Sequence, residues 1–241
     1  MKYYAGSDIG KIRQENEDYI FASKDSIGLL PNLFIVADGM GGHKAGEYAS
    51  RFAIAEAVKF IKHSRKPNPV NIMKDAINAA NERIYKEGVL DPRLSGMGTT
   101  FVMACIIDTK LYVANIGDSR LYLVRNGLKQ ITKDHSLVEE LASKGLIERG
   151  SEDYYNQKNV ITRALGTESE VYADFFEVDL QKEDFILLCS DGLTNMLSDA
   201  DIFDTILTAN ETAAMVSNLI IKSKKKGGND NISVIVIDPE I

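Results

Sequence analysis

Three strand-like segments follow one another closely in the middle of the chain and restrict the folds that it can form. They cover residues 99–107, 111–116 and 121–125 and are joined by short turns at 108–110 and 117–119. Connections this short join antiparallel neighbours, because a parallel pair needs a crossover of a dozen or more residues. The sequence therefore predicts an antiparallel sheet built from these three segments.

Further strand-like segments precede and follow this group, and helices come in pairs. Apolar and branched residues predict strands at 3–9, 19–23, 33–37, 171–178, 185–189 and 233–237. Apolar residues at helical spacing predict helices at 49–61, 72–84, 136–144, 199–207 and 211–225. Strands in runs and helices in pairs indicate an α+β fold with antiparallel sheets. Since no repeat or linker marks a boundary, we expect one domain over residues 1–241.

Charge and composition limit what the protein can bind. The formal charge of −7 leaves no basic excess for contacts to a phosphate backbone, which argues against a nucleic-acid partner. No segment approaches the roughly 18 apolar residues that span a bilayer, so we expect no membrane partner and a cytoplasmic location. Cys105 and Cys189 lie in apolar runs and are expected to be buried thiols without a disulfide or a catalytic role.

Four aspartates stand at the ends of predicted strands. Asp38 follows one apolar run, and Asp118 and Asp191 lie just after two others. Asp230 comes shortly before the last strand. Each one alone is explained by turn formation, since Asp-Gly and Asn-Asp pairs favour turns. Carboxylates crowded on one sheet edge, however, raise one another's pKa unless cations neutralise them, and oxygen ligands suit Mg²⁺ or Mn²⁺. We therefore predict a divalent-cation centre.

Seven short stretches resemble, in order, the motifs of the PP2C (PPM) protein phosphatases, in particular their compact bacterial members. They read SDIGKIRQENED (7–18), VADGMGGH (36–43), MGTT (97–100), NIGDSR (115–120), ITRALG (161–166), CSDGL (189–193) and GNDN (228–231). Together they extend over nearly the whole chain. The resemblance implies an α-β-β-α sandwich, in which two antiparallel sheets lie face to face and a helical pair covers each.

The resemblance also implies ligands for two Mn²⁺ or Mg²⁺ ions. By this comparison, Asp38 bridges the two ions, and the carbonyl of Gly39 is a further ligand. Asp191 and Asp230 match the remaining ligands of the first ion. The resemblance thus implies a metal role for three of the four aspartates at strand ends.

Asp118 and three residues near the start of the chain, Arg13, Glu17 and Asp18, match other parts of the family's site. Glu17 and Asp18 match the acidic pair that orients metal-bound water, and Asp118, together with Asp191, matches a third metal site of bacterial members. Arg13 matches the phosphate-binding arginine. This role agrees with its chemistry, since a guanidinium offers a planar fork of donors to two phosphoryl oxygens.

Two features depart from the family pattern or vary within it. Eukaryotic members have a histidine directly after the Asp-Gly pair, whereas this chain has Met40 there and His43 three residues later. The leaving alkoxide would therefore take its proton from His43 through water or from a metal-bound water. His63 and His135 are expected to be structural. Residues 145–159 correspond to a variable flap, which we hypothesise helps to select phosphoprotein substrates.

The activity implied is hydrolysis of phosphoserine and phosphothreonine in proteins by a hydroxide held between the two cations, without a phosphoenzyme. The implied partners are phosphoproteins, including a Hanks-type serine/threonine kinase and its substrates, and we expect a monomer.

Two alternative functions stay open. One is a nuclease or phosphodiesterase, which the acidic charge disfavours. The other is a catalytically silent phosphoprotein-binding module, which should have lost metal ligands that this chain keeps.

Overall fold

The structure is a computed structural model and describes residues 1–42, 44–149, 151 and 160–241. Its strands are β1 (Lys2–Asp8), β2 (Asp18–Ser23), β3 (Leu33–Met40), β4 (Gly98–Thr99), β5 (Phe101–Ile107), β6 (Lys110–Ile116), β7 (Arg120–Val124), β8 (Leu128–Gln130), β9 (Asp174–Asp179), β10 (Phe185–Cys189) and β11 (Ile232–Asp238). Its α-helices are α1 (Ala45–His63), α2 (Pro69–Leu90), α3 (Leu137–Ser143), α4 (Asp191–Thr194), α5 (Asp199–Leu207) and α6 (Thr212–Lys225). Within this part of the chain, no helix is both long enough and apolar enough to cross a membrane.

The strands form two antiparallel sheets. One has the order β1-β11-β10-β7-β8 and the other the order β2-β3-β5-β6-β9, with β4 paired to β3. Along β3, Phe34 and Val36 belong to the apolar layer between the two sheets, whereas Leu33, Ile35 and Ala37 pack under α1 and α2. This alternation follows from the period of two along a strand. Each fully buried apolar side chain contributes about 1.5–3 kcal/mol to folding.

A third apolar layer lies between the other sheet and helices α4, α5 and α6. The predicted α-β-β-α sandwich is therefore confirmed. Local sequence explains where several helices begin. Helix α5 starts with a capping box formed by Ser198 and Asp201, and α2 starts with the side chain of Asn68 accepting from a backbone N–H and with Pro69 in its first turn.

The connection from β6 to β7 contradicts one prediction, because the two strands are not neighbours. Strand β6 pairs with β5 and β9, but β7 pairs with β10 and β8 in the other sheet. Residues 117–119 therefore cross between the sheets. Gly117 has a φ of 97°, and its N–H donates to Nδ1 of His135 at 3.1 Å, while the His135 N–H donates to the Gly117 carbonyl at 3.0 Å. Such long-range bonds are not visible in local spacing.

Smaller differences concern element bounds. Strand β3 continues to Met40, so Asp38 lies within the strand rather than after it. The segment predicted at 99–107 is divided at Thr100, and β8 was not predicted. The strand predicted at 171–178 begins only at Asp174, because Val171 and Ala173 pack on the helical layer instead.

Candidate active site

Asp18 and Asp38 lie side by side at one end of a sheet. They are direct partners in the antiparallel pairing of β2 with β3, and side chains that are directly opposite in such a pair face the same way. The Asp38 backbone is held by two threonines. Its N–H donates to Oγ1 of Thr100 at 2.9 Å, and its carbonyl accepts from Oγ1 of Thr99 at 2.9 Å. Local pairing therefore positions two carboxylates together.

The glycines that follow Asp38 and Asp191 allow close backbone contact. A Cβ on Gly39 would lie 2.0 Å from the carbonyl oxygen of Gly46, and one on Gly192 would lie 1.9 Å from that of Asn231. Neither glycine has a positive φ, so neither is required by a turn. The simple turn explanation of the two Asp-Gly pairs is therefore wrong. Each glycine instead lets a helix start pack against a strand end.

The other sheet contributes Asp191 and Asp230. Asp191 is the first residue of α4, and its Oδ2 accepts from Nδ2 of Asn195 at 2.8 Å. Asp230 precedes β11, and its Oδ1 accepts from the Asn231 N–H at 2.8 Å. Because β10 and β11 are antiparallel neighbours, the C-terminal end of β10 and the N-terminal end of β11 lie at the same end of the sheet. The second sheet thus delivers two carboxylates to the site.

Arg13 stands at the rim of this cluster. Its Nη2 donates to Oδ2 of Asp230 at 2.8 Å, and its Nη1 lies 3.7 Å from Oε2 of Glu17. Burial lowers the pKa of Arg13, but the charge and hydrogen bond of Asp230 outweigh burial and raise it. Burial raises the pKa of Glu17, and the charge of Arg13 partly offsets that effect. The Arg13 side chain remains 47% exposed, toward a cleft of about 450 Å³ that Lys44 also lines.

Asn231 fastens the loop that carries Arg13. Its Nδ2 donates to the carbonyls of Ile9 and Glu15, both at 3.0 Å, and its Oδ1 accepts from the Glu17 N–H at 2.8 Å. One side chain at the start of β11 therefore holds both sides of the loop. The sequence analysis assigned no role to Asn231, although it belongs to the GNDN stretch.

Two buried carboxylate oxygens in the described part of the site have no hydrogen-bond partner. They are Oδ1 of Asp18 and Oδ1 of Asp118. The other oxygen of Asp18 accepts from Oγ of Ser190 at 2.7 Å. Leaving a buried polar atom without a partner is costly, so such atoms in a folded protein call for a ligand or another explanation. Ser190 is a second supporting residue that the sequence analysis did not identify.

Burial and mutual repulsion raise the pKa of three carboxyl groups. Burial, with the charge of Asp191, raises the pKa of Asp18 to about 7 despite the opposing hydrogen bond from Ser190. Burial and the charge of Asp191 raise the pKa of Asp118 to about 8. Burial, followed by the charges of Asp18 and Asp191, raises the pKa of Asp38 well above its ordinary value. These groups repel one another, and the charge of Arg120 offsets only part of the effect at Asp118.

This donor set fits divalent cations. A cation would supply the missing charge and a partner for the buried oxygens of Asp18 and Asp118. Among the described residues, no three His, Cys, Asp or Glu side chains already form a site that could hold a cation by themselves. Mg²⁺ and Mn²⁺ accept oxygen ligands, and Mg²⁺ usually keeps several waters, so protein-bound ions do not need such a closed cage.

Most of the predicted site residues therefore come together. The charges of four acids act on Asp38, and Arg13 and Glu17 lie at the edge of the cluster. The four acids are Asp18, Asp118, Asp191 and Asp230. His43 lies outside the described residues, as do positions 150 and 152–159 of the predicted flap. His135 is buried and bonds the β6–β7 crossover, so its predicted structural role is confirmed.

A sandwich that gathers acids from both sheets beside an exposed arginine has the features of a metal-assisted phosphate-ester hydrolase. The sequence pattern of the family "Protein phosphatase 2C" matches residues 3–232. The chain therefore belongs to the PP2C family, whose members depend on metal ions. It is a protein serine/threonine phosphatase of bacterial type, so the predicted family and enzyme class are confirmed.

Relatives resemble the chain over almost its whole length. The serine/threonine phosphatase stp of Listeria welshimeri is 39% identical over 241 residues, which cover 96% of this chain and 93% of that protein. The crystal structure of the Mycobacterium tuberculosis serine/threonine phosphatase PstP/Ppp has a TM-score of 0.89 and 36% identity, with coverage of 100% and 99%. A structure of the PstP catalytic domain in complex with two manganese ions has a TM-score of 0.85 and 35% identity, with coverage of 98% and 96%.

Proposed function

We propose that this phosphatase hydrolyses phosphoserine and phosphothreonine in proteins at the carboxylate cluster, with divalent cations bound there. The observation that carries the proposal is the group of buried acids whose pKa values are raised by burial and mutual repulsion, beside the exposed side of Arg13. Asp38 and the carbonyl of Gly39 would hold the cations, together with Asp191 and Asp230. Asp118, with Asp191, would form a third site.

The protein's part in the reaction is to place groups around the phosphate. When bound, Mn²⁺ or Mg²⁺ supplies Lewis acidity and lowers the pKa of a coordinated water toward neutrality. Asp18 and Glu17 would accept hydrogen bonds from water and orient it for attack on the phosphorus. The attack would need no phosphorylated side chain. Whether His43 donates the proton to the leaving alkoxide stays a prediction.

Arg13 would bind the phosphate itself. Asp230 engages Nη2 of the guanidinium, and the side chain is nearly half exposed toward the cleft. A guanidinium has five N–H donors, so donors remain available for phosphoryl oxygens after this contact. Charge builds on these oxygens in the transition state, and a donor held in advance stabilises it.

The proposal includes a single phosphatase domain over residues 1–241, active as a monomer in the cytoplasm. It also includes a Hanks-type serine/threonine kinase and its substrates among the partners. The near-complete coverage of this chain by the family pattern and by relatives of similar length supports a single domain. The kinase partner rests on the family alone.

The test is a phosphatase assay on phosphoserine, phosphothreonine and phosphotyrosine peptides with Mn²⁺, Mg²⁺ or a chelator. We expect hydrolysis of the first two peptides with metal and none with chelator. Arg13→Lys should lower kcat/KM at least about tenfold, because an ammonium cannot replace the planar fork. The control is Arg93→Lys, whose exposed guanidinium pairs with Asp91. Activity in chelator, or faster cleavage of nucleic acid than of phosphopeptides, would contradict the proposal.

A further inference from the structure

An apolar groove lies outside the carboxylate cluster, between strand β2 and helix α1. It has a volume of about 640 Å³. Its aromatic lining comes from Tyr19 and Phe21 of β2 and from Tyr48 and Phe52 of α1. The rings of Tyr48 and Phe52 stack with centroids 5.3 Å apart, and the Arg51 guanidinium lies 5.7 Å from the Tyr19 ring centroid.

The positions of these residues make the groove a continuous surface. Strand β2 is the edge strand of its sheet, so no described segment pairs with it on the side away from β3. Tyr19 and Phe21 are two residues apart and share one face of the strand. Tyr48, Phe52 and Ala55 are spaced by four and three residues and share one face of the helix. Tyr19 and Tyr48 remain 40% and 38% exposed.

The groove and the cleft beside Arg13 are adjacent at Lys44. Lys44, at the start of α1, lines both the groove and the cleft. Its side chain is 80% exposed and lies 3.9 Å from the carboxylate of Glu15. On the strand side, Tyr19 directly follows Asp18 of the carboxylate cluster. A chain whose phosphorylated residue reached the cluster would pass Lys44 and enter the groove on the face of β2 opposite the Asp18 side chain.

We propose that this groove binds a peptide segment of the phosphoprotein substrate and selects an apolar side chain near the phosphorylated residue. The inference rests on the proposed function. Phe21 lies three residues beyond Asp18, roughly 10 Å at the rise of about 3.3 Å per residue in a strand. An extended substrate covers that distance with three or four residues. The apolar side chain should therefore lie three or four residues from the phosphoserine or phosphothreonine, on one side only.

The experiment uses a series of phosphothreonine peptides in a Gly/Ser background, with one leucine moved through five positions on either side. The wild-type enzyme with Mn²⁺ should show about tenfold higher kcat/KM when leucine is three or four residues away on one side, as expected for burial of one apolar side chain. Ala55→Trp fills the groove from an exposed helix position, and Tyr48→Ser removes an aromatic wall. Both should abolish this preference and leave hydrolysis of a small aryl phosphate unchanged.

Tyr4→Ser is the matched control, because Tyr4 is 45% exposed on β1, in the other sheet. It should keep the preference. Hydrolysis of all peptides at one rate, independent of leucine position, would overturn the groove proposal and leave the proposed function intact. No hydrolysis of any phosphopeptide would overturn the proposed function itself. A wild-type dimer that Ala55→Trp dissociates would show that a second copy occupies the groove and would also overturn the inference.

Discussion

Asp184 and Asp18 are both buried acids of the same sandwich, at 1% and 5% exposure, but their surroundings differ. Asp184 accepts from Nε and Nη2 of Arg125 at 2.7 and 2.6 Å, and from the Gln181 N–H at 2.7 Å. Asp18 accepts a hydrogen bond from the hydroxyl of Ser190, and within the described residues its Oδ1 has no hydrogen-bond partner. One carboxylate is fully compensated by the protein, and the other is not.

This difference supports the proposal that Asp18 serves a ligand, whereas Asp184 serves the fold. A buried charge is tolerated when it is paired and hydrogen-bonded, as Asp184 is. Asp18 shares its region with Asp38 and Asp118, whose pKa values are also raised by burial and repulsion. Buried acids whose pKa values are raised in this way agree with the proposal that a cation binds among them.

Removing the compensated acid should affect stability most. Asp184→Asn breaks the pair with Arg125 and leaves a guanidinium without its counter-charge, so the free energy of unfolding should fall by about 3–5 kcal/mol. Urea denaturation measures this change. Asp179→Asn is the control, because Asp179 is 82% exposed in its pair with Lys110 and should cost less than about 1 kcal/mol. If Asp184→Asn instead lost catalysis without losing stability, the comparison would be wrong.

Removing an acid of the carboxylate cluster should lower activity rather than stability. Asp38→Asn should lower Mn²⁺-dependent kcat/KM on a phosphopeptide at least about 100-fold, or about 2.7 kcal/mol of transition-state stabilisation. Its thermal unfolding temperature in chelator should be no lower than that of the wild type, because a repelling charge has gone. Undiminished hydrolysis would contradict a role of Asp38 in binding the cations.

A smaller effect is expected when the support of Asp18 is removed. Ser190→Ala deletes the hydroxyl that donates to Asp18, so the Mn²⁺ concentration at half-maximal activity should rise about tenfold, as for other residues that orient metal ligands. A Mn²⁺ titration of activity measures this shift. Ser23→Ala, at the end of β2 where the hydroxyl bonds the Asp25 backbone, should leave the titration unchanged. An unshifted Ser190→Ala curve would show that the hydroxyl does not orient Asp18.

The raised pKa of Asp18 also predicts a pH dependence of stability in chelator. Asp18 has a pKa of about 7 in the folded protein and an ordinary value when unfolded, so between these values the folded state binds more protons. Its contribution therefore lowers the free energy of unfolding as pH rises from about 4 to about 7. The stability of Asp18→Asn relative to wild type should increase over this range, as measured by urea denaturation, and saturating Mn²⁺ should reverse the increase. A constant difference would contradict the raised pKa.

Much of the fold was predictable because burial in this chain is strongly periodic. Strand β10 and helix α5 have the predicted bounds. The connection from β6 to β7 was not predictable, because it depends on bonds between Gly117 and His135, which lies 18 residues further on. A short turn indicates that two strands are close, but it does not show whether they lie in one sheet or cross between two.

The acids of the site were predictable from their position at strand ends and from the motifs around them. Their supporting residues were not, because Ser190 and Asn231 have polar side chains that are common in loops. The Asp-Gly pairs were misinterpreted as turns because Asp-Gly sequences are common in turns. Only the structure shows that Gly39 and Gly192 are needed for close backbone contact rather than for a turn.

The most direct test of a cation centre at the carboxylate cluster is a crystal structure of this chain soaked in Mn²⁺, with anomalous diffraction to locate the ions. We predict two peaks among Asp38, Asp191 and Asp230, with none at Asp184. Side chains that point apart with no ion between them, in crystals soaked at millimolar Mn²⁺, would contradict the account.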